Sequence, residues 1–189
     1  MVMLVLLLTA CVASLGGGLA VVANTERRIA GAQLRSVQTA YAADAAARLA
    51  IDAIARNPES TLWPSEGAIP ELPGGAKVMA IAAGETVDLD ARTAELDGDT
   101  ASQWPVGPDT PRWRLAGWGP LPDLPAGSRR VAVWIADDVM DADGLPAEDR
   151  NGMLMIHVEA FGPRGAAHAV AAHVRREAGT VRTVSWREE

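Results

Sequence analysis

Cysteine is almost absent from this sequence of 189 residues, which contains Cys11 and no other. An intramolecular disulfide is therefore excluded. Positive charge is also scarce, because 17 Lys and Arg residues stand against 24 Asp and Glu residues and the net charge is −7. A protein that binds nucleic acid independently of sequence needs an excess of positive charge to neutralise phosphates. We therefore expect no nucleic-acid partner.

Residue patterns typical of catalysis are missing as well. The histidines His157, His168 and His173 have spacings unlike those of a local zinc motif, and no cysteine lies near them in the sequence. We expect them to be strand-pairing or surface residues. There is no glycine-rich phosphate loop, and Ser185 has no surroundings typical of a nucleophile elbow. The sequence predicts a protein that is not an enzyme and needs no cofactor.

Charged residues of either sign are absent from residues 1–23, which form a long apolar run. As a helix this run is about 35 Å long, enough to cross a hydrocarbon core of about 30 Å. No proline occurs before Pro58, so the helix can continue through the polar residues that follow. We predict one helix over residues 1–56, with residues 1–23 in a membrane.

A lipid anchor is a second interpretation of the same run. Residues 8–11, Leu-Thr-Ala-Cys, match the pattern that precedes a lipidated cysteine, so Cys11 would carry the lipid. A lipid-anchored chain is expected to turn polar at once, whereas here apolar residues continue to Ala23. A cleaved secretory signal fits less well, because the run is too long and no basic residue precedes it. The uncleaved helix is the preferred interpretation.

Two stretches after the apolar run resemble the N-terminal region of PilX-type minor pilins of the type IV pilus. The first is Thr25–Gly31, and the second is the alanine-rich stretch 38–46, which contains Asp44. Near the other end of the chain, residues 131–138 and 184–188 are similar to head-domain segments of the same group. The resemblance implies a structural subunit in pilus assembly or pilus-mediated adhesion.

The resemblance also implies a fold, partners and a location. The fold would be α+β, with the long N-terminal helix packed on a small antiparallel β-sheet head. Partners would be other pilins and pilus assembly proteins, with the head in the periplasm, and the chain would lie in the inner membrane, in the pilus, or in both. Neighbouring pilin helices would contact a stripe of apolar residues spaced three or four apart: Ala30, Leu34, Val37 and Tyr41.

Two alternatives to the pilin remain open. One is a minor pseudopilin of type II secretion, which shares the helix-plus-head plan. The other is a membrane-tethered or lipidated envelope protein whose head binds a glycan or another protein. Type IV pilins begin with a basic leader that ends in glycine, and residues 1–9 show none. We expect the sequence to start at an internal methionine.

The head is expected to have two parts. Residues 57–128 are rich in proline and tryptophan and are predicted to be irregular, with strands only at 77–82 and 112–118. We expect Trp118 and Trp134 to lie in the core, the alternative being a platform that stacks on carbohydrate. Residues 129–189 predict an antiparallel meander of four strands: 131–137, 153–161, 168–176 and 181–187.

An acidic stretch lies between the first two strands of this meander. Its Asp141-Ala142-Asp143-Gly144 sequence is similar to the start of a calcium loop, and Asp149 follows closely. Asp, Asn and Gly are also ordinary turn formers. We expect a solvated turn, and a Ca²⁺ site formed by Asp141, Asp143 and Asp149 is the alternative.

Overall fold

The computed structural model describes residues 1–56, 67–82, 84–104, 110–122, 129–141, 148–177 and 179–188. Strands β1 and β2 form an antiparallel hairpin, and β3 to β7 form an antiparallel sheet in chain order. The predicted α+β class, a long helix with antiparallel sheets, is confirmed. The elements are α1 (Val2–Arg56), β1 (Val78–Ala82), β2 (Glu85–Asp88), α2 (Leu89–Gln103), β3 (Arg114–Pro120), β4 (Arg130–Asp137), β5 (Met153–Phe161), β6 (Ala167–Glu177) and β7 (Thr180–Glu188).

The N-terminal part of α1 forms a unit of its own, Met1–Val37. Every residue from 1 to 30 is exposed, although most of the first 23 are apolar. An 18-residue window has a mean hydropathy of 2.3, and the helix is long and apolar enough to cross a membrane. Thr9 and Ser14 donate their hydroxyl hydrogens to carbonyls three or four residues back in the helix. These hydroxyls therefore need no water, which suits an apolar solvent.

The second unit is Gln38–Glu189, and its core lies between the C-terminal part of α1 and one face of the sheet. We name this the first face, and it carries Val131, Val133 and Ile135 from β4. Strand residues alternate between the two faces, so Leu154, Ile156 and Val158 from β5 lie there too. The helix contributes one mostly alanine side: Thr39, Ala42, Ala43, Ala46, Ala47, Ala50 and Ile54.

The opposite, second face of the sheet is partly covered by α2 and the β1–β2 hairpin. Trp134 is fully buried there and donates its indole N–H to the hydroxyl of Thr93 in α2 at 2.8 Å. Trp118 is 6% exposed in the same cluster. Both tryptophans are therefore core residues, and the alternative carbohydrate platform is wrong for this pair.

Residues 57–128 are more regular than predicted. The two expected strands are present as β1 and β3, but the segment also contains β2 and α2. Helix α2 was missed because it buries only Leu89 and Leu96 and contains Gly98, so it lacks a continuous apolar stripe. Its start is fixed by Asp88, whose carboxylate accepts the backbone N–H groups of the first helical turn.

The predicted four-stranded meander is confirmed as β4 to β7, and β3 extends it to five strands. Strand β3 pairs with β4 through a register shift between Leu115 and Gly117. A β carbon on Gly117 would lie 3.1 Å from Cβ of Ile69. Glycine at this position lets the segment before β1 pack directly against the strand, and a larger residue would require Ile69 and Leu72 to shift.

Gly152 immediately precedes β5 and has a conformation that other residues rarely adopt, with φ at +80°. Its carbonyl accepts the N–H of Arg176 at 2.7 Å, which joins the end of β6 to the acidic turn. A β carbon at Gly152 would lie 2.8 Å from the carbonyl oxygen of Arg176. Backbone conformation and close approach both require glycine here.

We predict that Gly152→Ala lowers the free energy of unfolding by about 1–3 kcal/mol, because strain and steric overlap act together. The matched control is Gly98→Ala, at an exposed interior position of α2 with no atom within 4 Å of the added carbon. There the better helix propensity of alanine raises stability by about 0.5–1 kcal/mol. Thermal melts of the full chain in mild detergent measure both variants. Two shifts of the same sign and size would contradict this account of Gly152.

Candidate functional site

The acidic stretch between β4 and β5 forms a buried carboxylate cluster. Asp137, Asp141 and Asp149 each place a carboxylate oxygen so that all three oxygens lie within 4.8 Å of one another. Their exposed fractions are 3%, 8% and 2%. Asp137 ends β4, and the other two residues come from the connection between β4 and β5.

Backbone N–H groups and one arginine satisfy these carboxylates. Oδ2 of Asp141 accepts the N–H of Arg150 at 2.7 Å and that of Asn151 at 3.1 Å. Oδ1 of Asp149 accepts the N–H of Gly152 at 2.6 Å, and its Oδ2 accepts a hydrogen bond from Nη2 of Arg176. These hydrogen bonds hold residues 149–152 against Asp141 and Arg176.

The expectation of a solvated turn is therefore wrong for Asp141 and Asp149, which are buried. Asp138 is also buried, and it accepts the side-chain amide of Asn151 at 2.7 Å. The physical reason is that the carboxylates of Asp141 and Asp149 accept hydrogen bonds from the backbone N–H groups of residues 150–152 and from the guanidinium group of Arg176. Asp143, the third residue of the predicted calcium site, lies outside the described residues. Asp141 and Asp149 do come together, with Asp137 as the third carboxylate.

Burial changes the titration of the cluster. Burial raises the pKa of Asp137 from 3.8 to about 7, the N–H of Asp138 opposes this, and the charges of Asp141 and Asp149 add to it. Burial also raises the pKa of Asp149, against the lowering effect of its hydrogen bond from Arg176. Asp137 therefore takes up its proton near neutral pH.

The oxygen spacing also bears on the calcium prediction. Ca²⁺ binds oxygens at about 2.3–2.6 Å, so two oxygens on the same ion lie about 5 Å apart at most. The three carboxylates of Asp137, Asp141 and Asp149 meet that condition. Arg176 already supplies a positive charge to Asp149, and an ion would share that carboxylate with it. The calcium site stays a prediction.

The predicted helix stripe has large exposed side chains along α1. In the first unit Ala30 is exposed, Leu34 is 59% exposed and Val37 is 51% exposed; in the second unit Tyr41 is 70% exposed. In the second unit, the side of α1 that packs on the sheet is a different one, the mostly alanine side. Whether the stripe contacts other helices stays a prediction.

Cys11, the residue of the lipid-anchor alternative, is an exposed free thiol in α1. It lies in the third turn of the helix, with helical residues on both sides. The apolar run thus continues as one helix across the position at which a lipidated chain would begin. Lipidation of Cys11 remains a prediction of the alternative interpretation.

A buried polar network occupies the second face of the sheet beside α2. Nε2 of His157 lies 3.0 Å from Oε1 of Glu159, and Nε of Arg92 in α2 donates to the same oxygen at 2.7 Å. Burial raises the pKa of Glu159, but the hydrogen bonds from His157 and Arg92 lower it more, so the net shift is downward. His157 lies opposite Trp134 and Ala171 in the sheet, so it is a strand-pairing residue as expected, and it is 5% exposed.

The sequence indicated the acidic stretch but not the residues from the strands that contact its carboxylates. Asp137 belongs to a strand and Arg176 to another strand 27 residues beyond Asp149, and only the sheet register brings them together. A sequence signal for the partner of the acidic stretch is Arg176, at the end of a strand rich in small apolar residues.

Comparison of the chain with protein-family models, curated proteins and solved structures gives no match.

The raised pKa of Asp137 predicts how stability depends on pH. Between pH 3.8 and about 7 the folded state holds a proton that the unfolded state lacks. The stability contributed by this group is present at the acidic end of that window, falls as the pH rises and is lost above it. We expect the Tm of the full chain to fall by several degrees from about pH 5 to about pH 8. Asp137→Asn, which stays neutral, should flatten that fall.

The melts are made in excess chelator so that protons alone titrate the cluster. Parallel pH profiles for the two proteins would contradict the assignment to Asp137. The same melts repeated in millimolar Ca²⁺ test the calcium prediction, because an ion that binds only the folded state raises Tm. Coincident melting curves with and without Ca²⁺ would contradict the calcium prediction, whereas a rise in Tm that Asp141→Asn abolishes would support it.

Proposed function

We propose that this chain is a minor pilin of the PilX type, a structural subunit in type IV pilus assembly or pilus-mediated adhesion. It would be anchored in the inner membrane by α1, with its head in the periplasm or on the pilus. Its partners would be other pilins and pilus assembly proteins. The resemblance at residues 25–31 and 38–46 supports this proposal, and so does the plan of a 55-residue helix with an antiparallel sheet.

The observation that carries the proposal is the apolar stripe of α1 beyond the membrane-length run. Leu34, Val37 and Tyr41 are each more than half exposed, although the sheet buries other residues of the same helix. Large apolar side chains aligned on one helix face are typical of an interaction surface. Their spacing of three or four residues suits a second helix lying alongside.

Tyr41 also lines a groove in the second unit. It has a volume of about 460 Å³, with Tyr41, Ala45 and Leu49 from α1 on one side and Leu121 and Pro122 on the other. Its walls are mainly apolar. The groove ends at polar groups, where Nη2 of Arg129 donates to Oε1 of Gln38. An apolar groove with a polar end suits the side chains of a neighbouring amphipathic helix.

A type II secretion pseudopilin would use the same stripe and groove in a secretion pseudopilus. A lipidated envelope protein would not need them, because its anchor would be the lipid on Cys11 and the stripe would have no partner. The exposed apolar stripe therefore favours an assembling subunit over a tethered binding module.

Leu34→Asp is the variant that tests the proposal. In a pilus, the aspartate would be an unpaired charge buried between helices. A cost of about 1.4 kcal/mol or more reduces incorporation about tenfold. We expect the variant to reach the membrane and to melt as the unchanged protein does, because Leu34 is exposed in the free chain. The readout is its amount in sheared pili relative to the membrane fraction.

The matched control is Ser36→Asp, which adds the same charge at an exposed position about 200° around the helix from Leu34. It should enter pili normally. Equal incorporation of both variants and the unchanged protein would contradict the stripe as an assembly surface. A loss from secretion pseudopili, with none from pili, would identify the pseudopilin instead.

A further inference from the structure

A second groove, with a volume of about 520 Å³, lies on the second face of the sheet. Helix α2 contacts that face over β3, β4 and β5, and its C-terminal half, from Leu96, forms one wall of this groove. The other wall is formed by β5, β6 and the end of β7. No residue of the α1 stripe lines this groove, so a ligand bound here is independent of the proposed assembly.

Thioether groups are concentrated in this groove. The chain has six methionines, of which Met140, Met153 and Met155 line it. Of the others, Met1 and Met3 lie in the apolar run and Met79 is buried in the core. Met140 is 78% exposed, and Met153 and Met155 are half-buried. We name the space the methionine groove, because its methionines are accessible from solvent rather than buried as core residues are.

An imidazole lies beside these thioethers. In the β5–β6 ladder Met155 is directly opposite His173, and both side chains line the groove. Residues paired in this way have β carbons about 4.5–5.5 Å apart, so the sulfur and the ring can reach one atom between them. Met153 lies two residues before Met155 and therefore points to the same face. Strand register alone thus brings two thioethers and an imidazole together.

Charge and aromatic rings in the groove also favour a cation. Asp99 and Asp138 line it together with one arginine, Arg187, so carboxylates outnumber guanidinium groups. Trp104, 46% exposed, and Trp113 complete the wall, and an indole face attracts a cation within about 6 Å.

We propose that the methionine groove binds Cu(I), with Met155 and His173 as ligands and Met153 or Met140 completing the site. Thioether sulfur is a soft ligand and selects Cu(I), whereas Ca²⁺ and Mg²⁺ prefer oxygen. Imidazole also suits copper. His157, which lines the same groove, is held by Glu159 and is not among the proposed ligands. No redox step is required, because the ion binds and leaves in one oxidation state.

The first test is anaerobic competition for Cu(I) between the full chain in detergent and a chromogenic Cu(I) chelator. Every protein carries Cys11→Ser, because a thiolate would bind Cu(I) by itself. We expect the protein to take one equivalent of Cu(I) from the chelator. Met155→Leu keeps the shape of the side chain but removes the sulfur, and His173→Gln removes the imidazole. Each should lower the affinity for Cu(I) about tenfold or more.

His168→Gln is the matched control, because this histidine is also on β6 but does not line the groove. It should bind Cu(I) as the parent protein does. No uptake of Cu(I) by the parent protein, or equal uptake by the parent and the Met155→Leu, His173→Gln double variant, would overturn the proposal.

A second measurement needs no variant in the groove and so does not depend on how such variants fold. Methionine methyl groups are labelled with ¹³C, and Ag(I), a redox-inert substitute for Cu(I), is added. We expect the methyl signals of Met153 and Met155 to shift, while that of the buried Met79 stays in place. Shifts confined to Met1 and Met3, or no shift at all, would exclude the site.

Discussion

The burial of one mostly alanine side of α1 against the first face of the five-stranded sheet is the interaction on which the rest of the structure depends. Ala43, Ala46, Ala47 and Ala50 are each fully buried there. Branched residues of β4, β5 and β6 supply larger apolar side chains to the same core, and burial of apolar surface stabilises by about 25 cal/mol per Å². Small helix residues leave room for those branched side chains, and a larger residue in place of one of these alanines would overpack the core.

Different sides of α1 therefore have different roles. The alanine side stabilises the head, while the larger Tyr41 remains exposed on another side next to the groove formed with Leu121 and Pro122. The second face of the sheet is also divided. On one part of this face Trp134 is buried under α2, and on another part the methionine groove is accessible to solvent. One sheet thus supports a stable core and two separate surfaces.

The sequence predicted the elements whose signal is local. A run without charge predicted α1, and alternation in residues 153–161 predicted β5, because both patterns depend on neighbours in the chain. Helix α2 was missed since Leu89 and Leu96 alone do not form a stripe, and its stability comes from a cap and from contacts with the sheet. The buried state of the acidic turn was missed for the same reason. The partner of Asp149 is Arg176, and the β5–β6 register brings it near.

The central claim is that the apolar helix α1, rather than a lipid, joins this chain to the membrane and to an assembly of pilins. Mass spectrometry of the chain recovered from sheared pili and from membranes tests it most directly, because one spectrum identifies both the N-terminal segment and the state of Cys11. We predict a chain in the pilus fraction that keeps the apolar helix on both sides of an unmodified Cys11. A chain that begins at a diacylglyceryl-modified Cys11 and is absent from pili would contradict the account.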